Sequence, residues 1–257
     1  MDTLGAVAGP LIALVFLRLY PAQYTSLFLL AAIPGAFSII LLFSMKEKRT
    51  SGLSSRPGLF SFLKYYRKGS KQFRHSLNGL ILFALFNSSD VLLLLKMKES
   101  GMDDAGIITV YIFYNLVFAV FSFPTGILAD RLGIRKTLLM GLGLYVIVYT
   151  GFAVNDHNRV YWLLFFLYGL YAAATDGLSK AWISQLVPGS ETGTAIGLYT
   201  GLAGIAAFVA SSMAGWIWLV AGAGLAFGLT AFAAALALLY LLATTNDDVY
   251  GKEVRST

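Results

Sequence analysis

FPTGILADRLGIRKT, at residues 123–137, is the segment from which the topology of this chain follows. It is a short charged turn with two glycines, and it separates two apolar runs that are each long enough to cross a bilayer. So short a turn predicts that the two flanking helices are antiparallel neighbours. Its three cations, Arg131, Arg135 and Lys136, predict a cytoplasmic position, because Lys and Arg accumulate in short cytoplasmic loops.

The composition is that of an integral membrane protein. Hydrophobic residues make up 58% of the chain and charged residues only 12%, whereas soluble domains carry about 25% charged residues. The mean hydropathy is +0.73. The apolar runs are continuous and lack the alternation of a lipid-facing strand, which favours an all-α helical bundle over a barrel. The lipid bilayer of an inner or plasma membrane is therefore the first predicted partner.

Eight membrane-spanning helices are predicted from the apolar runs, at 4–19, 24–43, 77–95, 105–128, 138–154, 160–178, 194–218 and 219–242. With the turn at 130–136 placed inside, fifteen of the nineteen Lys and Arg fall on the cytoplasmic side. Nine of them lie between Lys46 and Arg74. This asymmetry predicts that both ends of the chain are cytoplasmic.

The basic segment 44–76 separates two groups of spans, 1–43 and 77–243, and a polar tail follows at 244–257. Apolar residues recur at near-helical spacing within the basic segment, against Lys64, Arg67 and Lys68. This pattern is typical of an amphipathic helix on the anionic inner leaflet, and a solvated linker is the alternative. The net charge of +6 comes from this clustering, and no motif for reading bases accompanies it, so no nucleic-acid partner is predicted.

The first apolar run has sixteen residues, fewer than the roughly 20 that a spanning helix needs. Its one nearby cation, Arg18, lies at the far end of the run, where a first helix with a cytoplasmic start would not place it. We therefore expect the natural chain to continue upstream of Met1 with further spans.

The pattern G-x-L-A-D-R-x-G-x-R-K at 126–136 resembles the signature loop of the major facilitator superfamily of secondary transporters. Three further stretches are similar to family motifs: Gly5, Gly9 and Pro10 to a fifth span, 168–180 to a tenth span, and 193–197 to an eleventh. Leu11 departs from the small residue that follows the fifth-span motif. The resemblance implies the last two spans of an N-terminal half followed by a six-span C-terminal half.

The resemblance also implies a cytoplasmic gate. Asp130 would dock on the seventh span, Arg131 or Arg135 would face Asp176, and Gly126 would let two helices approach. Gly133 would adopt a backbone conformation closed to other residues. The gate set comprises Gly126, Asp130, Arg131, Gly133, Arg135, Lys136, Asp176 and Lys180. The alternatives are that the charges only set topology and that Asp176 and Lys180, four residues apart, form a local helix-end pair.

Asp90 lies inside the third span, where an ionised carboxylate costs about 2.5–3.5 kcal/mol. Such a residue usually faces a water-filled path or a partner, so Asp90 is a candidate for proton coupling, with Asn87 on the same helical face. An interfacial carboxylate bonded to Ser88 or Ser89 is the equal alternative. The other candidate residues of a translocation path are Tyr111, Tyr114, Asn115, Tyr168 and Tyr171, which otherwise pack between helices.

Gly193, Gly197 and Gly201 recur every four residues along the seventh span, and this spacing predicts close helix packing, as at Gly5, Gly9 and Pro10. No Ser/His/Asp, paired-carboxylate or metal-ligand pattern occurs in the sequence, so neither an enzyme nor a cofactor or metal is predicted. The expected function is secondary active transport of a small solute by alternating access, coupled to protons. The alternative is a transporter-like sensor or scaffold without transport, which a sealed, dry bundle would favour.

Overall fold

The computed structural model describes residues 2–20, 23–44 and 61–245, and in these ranges it contains helices and no strands. The prediction of an all-α bundle is confirmed. The chain divides into two compact units, Met1–Tyr65 and Tyr66–Thr257. Most of the basic segment and the polar tail, at 45–60 and 246–257, lie outside the described residues.

The first unit contains α1, Asp2–Leu19, and α2, Tyr24–Ser44, which pack against each other. Each helix carries a proline in its interior, Pro10 in α1 and Pro34 in α2. The two helices coincide with the first two predicted spans. Helix α3, Ser61–Lys68, falls on the predicted amphipathic segment and crosses the boundary between the units, so this part of the segment is helical.

The second unit contains seven α-helices and one short 3-10 turn within its described part. They are α4 (Lys71–Ala84), α5 (Asp90–Glu99), α6 (Asp104–Leu132), α7 (Ile134–Val154), α8 (Asn158–Gln185), the turn Gly189–Glu191, α9 (Thr192–Ala221) and α10 (Ala223–Thr244). By length and composition, α6, α7, α9 with the turn before it, and α10 can each cross a membrane. The helices match the eight predicted spans if α4 and α5 are taken as one interrupted span.

Helix α7 lies at the centre of the second unit, where it packs against α8 and α10, while α6 packs against α8. Fully buried aromatic rings fill these contacts, and the rings of Tyr145 and Tyr149 stack with centroids 4.1 Å apart. Glycines allow the closest approaches. A Cβ atom on Gly141 of α7 would lie 2.9 Å from the Cβ of Ala174 in α8, so only glycine fits at that crossing.

Single glycines connect two pairs of long helices. Gly133 joins α6 to α7 and Gly222 joins α9 to α10, with φ angles of 96° and 88°. Residues with a Cβ rarely adopt these angles. The positive φ predicted for Gly133 is therefore observed, but the predicted turn at 130–136 was too long, because α6 continues to Leu132. The predicted boundary between the last two spans, after residue 218, is also wrong, because the connection is at Gly222.

The third span is not one continuous helix, contrary to the sequence prediction. Helix α4 ends at Ala84, α5 begins at Asp90, and 85–89 form a non-helical link. The polar run Asn87, Ser88 and Ser89 explains the interruption, because Asn and Ser side chains bond to nearby backbone groups and compete with the helix. Ser89 does so here by accepting a hydrogen bond from the Val91 N–H at 3.3 Å.

Candidate functional site

A cavity of about 580 Å³ lies in the second unit, bounded by the 85–89 link, α6, α8 and α9. It extends from the link to the ion pair near the end of α8. Seven of the residues that the sequence singled out line it: Asn87, Asp90, Tyr114, Tyr168, Tyr171, Asp176 and Lys180. The structure thus brings five predicted path residues and two predicted gate residues to one surface.

The link at the cavity wall is held by hydrogen bonds to neighbouring helices. The Tyr145 hydroxyl donates to the Phe86 carbonyl at 2.8 Å, and the Tyr149 hydroxyl contacts the Ser88 carbonyl at 3.2 Å. The Ser89 N–H donates to Ser211 Oγ of α9 at 3.0 Å. A break inside a membrane span is tolerated where other groups satisfy the released backbone. Here α7 and α9 supply those groups and fix the shape of the link.

Asp90 is the first residue of α5 and is half-buried in the cavity wall. The partial positive charge at a helix N-terminus favours an ionised carboxylate there. Among the residues that the structure describes, Asp90 forms no ion pair, and its carboxylate interacts with the side chain of Tyr111. Asn87 lies in the link and not on a helical face shared with Asp90, so that prediction was wrong, although both residues line the cavity.

Tyrosine rings form the wall made by α6 and α8. Tyr114 stacks on Tyr168 with centroids 5.1 Å apart, and Tyr168 lies 5.4 Å from Tyr171. The other two predicted path residues are absent from the lining. Tyr111 stacks on Tyr114 at 5.7 Å, and Asn115 is buried and donates to the Tyr111 carbonyl at 2.8 Å. Tyr111 is thus connected to the lining through the ring of Tyr114 and the carboxylate of Asp90, although it does not line the cavity itself.

The gate residues are only partly brought together. Lys180 Nζ lies 3.7 Å from Asp176 Oδ1, which is the local pair expected from their spacing. The prediction that Arg135 could face Asp176 is wrong. Its Nε donates instead to Thr245 Oγ1 at 2.8 Å and its terminal nitrogen to the Leu242 carbonyl at 3.5 Å. A cation at the C-terminal end of α10 is stabilised by the helix dipole, which explains this placement.

The remaining gate residues, Asp130, Arg131 and Lys136, are exposed around Gly133. Within the described part of the chain, no hydrogen bond joins Asp130 to the N-terminus of α9, so the predicted latch is not formed in this structure. Gly126 does not mediate a helix contact either, since a Cβ atom there would meet nothing within 4 Å. That prediction was wrong for the described residues.

The predicted packing glycines also occupy open positions. A Cβ atom on Gly9, Gly193, Gly197 or Gly201 would meet no atom within 4 Å in the described structure, and Gly5 lies in α1 beside residues whose side chains are not described. The close contacts occur elsewhere, at Gly79, Gly141, Gly151 and Gly169. Glycines spaced four residues apart thus lie on one helix face, but the spacing alone does not show whether that face packs against another helix.

Sequence reasoning missed a set of hydroxyl side chains in the lining: Thr175, Ser179, Thr200 and Ser211. Each donates its hydrogen to the carbonyl four residues earlier in its own helix, at 2.8, 2.7, 2.9 and 2.9 Å. The oxygens of Thr175, Ser179 and Thr200 keep lone pairs that can accept, whereas Ser211 Oγ already accepts from the Ser89 N–H. The spacing of Thr200, Gly204 and Ser211 on one face of α9 was the signal that would have located them.

No group of three or more metal-ligating side chains occurs among the residues that the structure describes. The site instead consists of one carboxylate without an ion pair, an aromatic wall and a rim of hydroxyl acceptors. The lining therefore combines a negative charge with aromatic rings and polar oxygens.

Comparison with known proteins places this architecture in context. The sequence model of the Major Facilitator Superfamily matches residues 76–256. An uncharacterised MFS-type transporter of Methanocaldococcus jannaschii is 33% identical over 227 residues, which cover 84% of this chain and 55% of that protein. The chain thus spans about half the length of the curated relative that it matches.

Proposed function

Because the chain belongs to the Major Facilitator Superfamily, we propose that it forms part of a secondary active transporter that moves a small solute by alternating access. Four of its described helices are long and apolar enough to span a bilayer, and it is an integral membrane protein. In the proposed cycle, the cavity opens in turn to each side of the membrane, with both ends of the chain in the cytoplasm.

The observation that carries the proposal is the cavity of about 580 Å³ with Asp90 in its wall. A sensor or scaffold has no need of a membrane-embedded, half-buried carboxylate facing a space of this size, and such residues usually mark ion or substrate paths. Asp90 is the proposed site of proton coupling, because it is a carboxylate in the cavity wall that forms no ion pair among the described residues.

The proposed cytoplasmic gate consists of the turn around Gly133 and the Asp176–Lys180 pair. The pair lies at the rim of the cavity and both side chains are substantially exposed, so it can separate at little cost. Asp130 would bond to the N-terminus of α9 in one state of the cycle and be released in the other, as this structure has it.

Cysteine accessibility tests alternating access without knowledge of the substrate. The sequence contains no cysteine, so Ser211→Cys places a single thiol in the cavity. We expect a membrane-impermeant maleimide to label it from either side of oriented vesicles, with a ratio of the two rates that shifts when a pH gradient is imposed. Ala234→Cys, at a fully buried position, is the control that should remain unlabelled.

Adding Asp90→Asn to Ser211→Cys should abolish the response to the pH gradient while leaving labelling from both sides intact. Labelling from one side only under every gradient would contradict alternating access and would favour a scaffold. An unchanged response in the Asp90→Asn background would remove this residue from proton coupling.

A further inference from the structure

We propose that the cavity binds organic monocations that carry an aromatic or branched apolar group. The inference rests on the proposed function only for the claim that the bound molecule is then transported. Three features of the cavity support it: the net charge of the lining, its acceptor oxygens and its aromatic rings.

The charge of the lining is negative by one unit. Its ionised side chains are Asp90, Asp176 and Lys180. The latter two lie 3.7 Å apart, so their charges largely cancel. Asp90 has no such ion-pair partner among the described residues, and it lies at the start of α5, where the helix dipole attracts negative charge. One positive charge on a ligand would therefore balance the site.

The lining offers acceptor oxygens to an ammonium group. Thr175 and Ser179 use their hydrogens within α8, which leaves lone pairs on both oxygens. An ammonium group can donate to such oxygens and to Asp90. The Asp90 carboxylate would repel an anion.

The aromatic wall favours the same class of ligand. The rings of Tyr114 and Tyr168, which line the same cavity as Asp90, stack with centroids 5.1 Å apart. The faces of aromatic rings attract cations, particularly where water is scarce. A cavity of about 580 Å³ lies within the range of small-molecule sites, roughly 300–1,000 Å³, so it can hold apolar substituents as well as the charged centre.

Two probes of the same shape and opposite charge test the inference directly. The purified chain in nanodiscs of phosphatidylcholine would be dialysed against radiolabelled tetraphenylphosphonium, with protein-free nanodiscs as the background. We expect saturable binding of this cation and no competition by tetraphenylborate. An absence of saturable cation binding, or equally tight binding of the borate, would overturn the proposal.

Variants of the lining assign the binding to the proposed groups. Asp90→Asn should weaken cation binding about tenfold, whereas Asp90→Glu, which keeps the charge, should remain within about threefold of the original affinity. Glu191→Gln removes an exposed carboxylate outside the lining and should leave the affinity unchanged. Unchanged affinity in a folded Asp90→Asn variant would overturn the role of this residue, and the comparison of the two probes still decides if that variant does not fold.

The aromatic contribution has its own pair of variants. Tyr114→Leu should weaken binding about fivefold, while Tyr114→Phe should keep most of the affinity because the ring face remains. Equal losses in the two variants would contradict a cation–ring contact. Cation binding together with one-sided labelling of Ser211→Cys would support this inference and contradict transport. Two-sided labelling without cation binding would support transport and contradict this inference.

Discussion

The hydroxyl of Tyr145, in the middle of α7, donates to the backbone carbonyl of Phe86 at 2.8 Å. Phe86 lies in the 85–89 link, where the third span is not helical. The tyrosine is fully buried, so its hydroxyl supplies the Phe86 carbonyl with a donor inside the helix bundle. This bond links the central helix of the second unit to the wall of the cavity.

Replacing Tyr145 by Phe should lower the free energy of unfolding by about 1–3 kcal/mol, because the Phe86 carbonyl would be left without its donor. The measurement is reversible unfolding in mixed micelles with increasing SDS. Tyr66→Phe is the matched control, since it removes an exposed hydrogen bond to Asn78 and should cost at most about 0.5 kcal/mol. Equal costs would show that the link does not depend on Tyr145.

Gly169→Ala should be destabilising by about 1–3 kcal/mol, because its Cβ would lie 2.7 Å from Val117 Cγ1 and 3.1 Å from the Tyr114 carbonyl oxygen. Gly197→Ala should instead be neutral or stabilising by about 0.5–1 kcal/mol, since the new methyl group meets nothing and alanine favours the helix. The same SDS titration measures both. The reverse order would indicate that Gly197 packs against a surface outside the described residues.

Arg135→Gln should loosen the end of α10, because the Arg135 side chain bonds to Thr245 and to the Leu242 carbonyl. A loss of about 1 kcal/mol corresponds to roughly fivefold faster hydrogen exchange of the last backbone amides of α10, which mass spectrometry of the C-terminal peptide can measure. Arg131→Gln, at an exposed position in the same turn, should leave that exchange unchanged. Slower exchange in the first variant would exclude a capping role.

Lys96 and Asp156 form an ion pair at 2.8 Å between the end of α5 and the α7–α8 connection. The hydrogen bond and charge of Lys96 lower the pKa of Asp156 below its ordinary value of 3.8. Burial of Lys96 acts to lower its own pKa, but the bond and charge of Asp156 outweigh it and raise the pKa above 10.5.

The sign of the pH dependence follows from these two directions. The contribution of Asp156 is present above pH 3.8 and is lost as the pH falls through its lowered pKa, and that of Lys96 is lost as the pH rises through its raised pKa. The stability difference between the parent chain and Asp156→Asn should thus be constant near neutral pH and should shrink towards both extremes. A difference that grows on acidification would contradict the pair.

The sequence was sufficient for features that depend on long apolar runs. Hydropathy identified the membrane class and the approximate spans, and the pattern around Gly133 identified both a residue with positive φ and the family. The Asp176–Lys180 pair followed from helical spacing alone. Each of these inferences uses local information, for which a single chain is enough.

Features that depend on neighbours were not predictable. The interruption at 85–89 requires that Tyr145 and Tyr149 satisfy the released carbonyls, and their partners lie about sixty positions away along the chain. Gly141 and Gly201 look alike in sequence, yet only Gly141 faces another helix. The helix break also moved Asn87 off the predicted face, although the polar run there was visible from the start.

A single residue, Gly133, separates α6 from α7, and a single residue, Gly222, separates α9 from α10. A tilt of α6 must therefore carry the near end of α7 with it, and α9 must do the same for α10. Through Tyr145 in α7, such a movement would also act on the carbonyl of Phe86 in the 85–89 link.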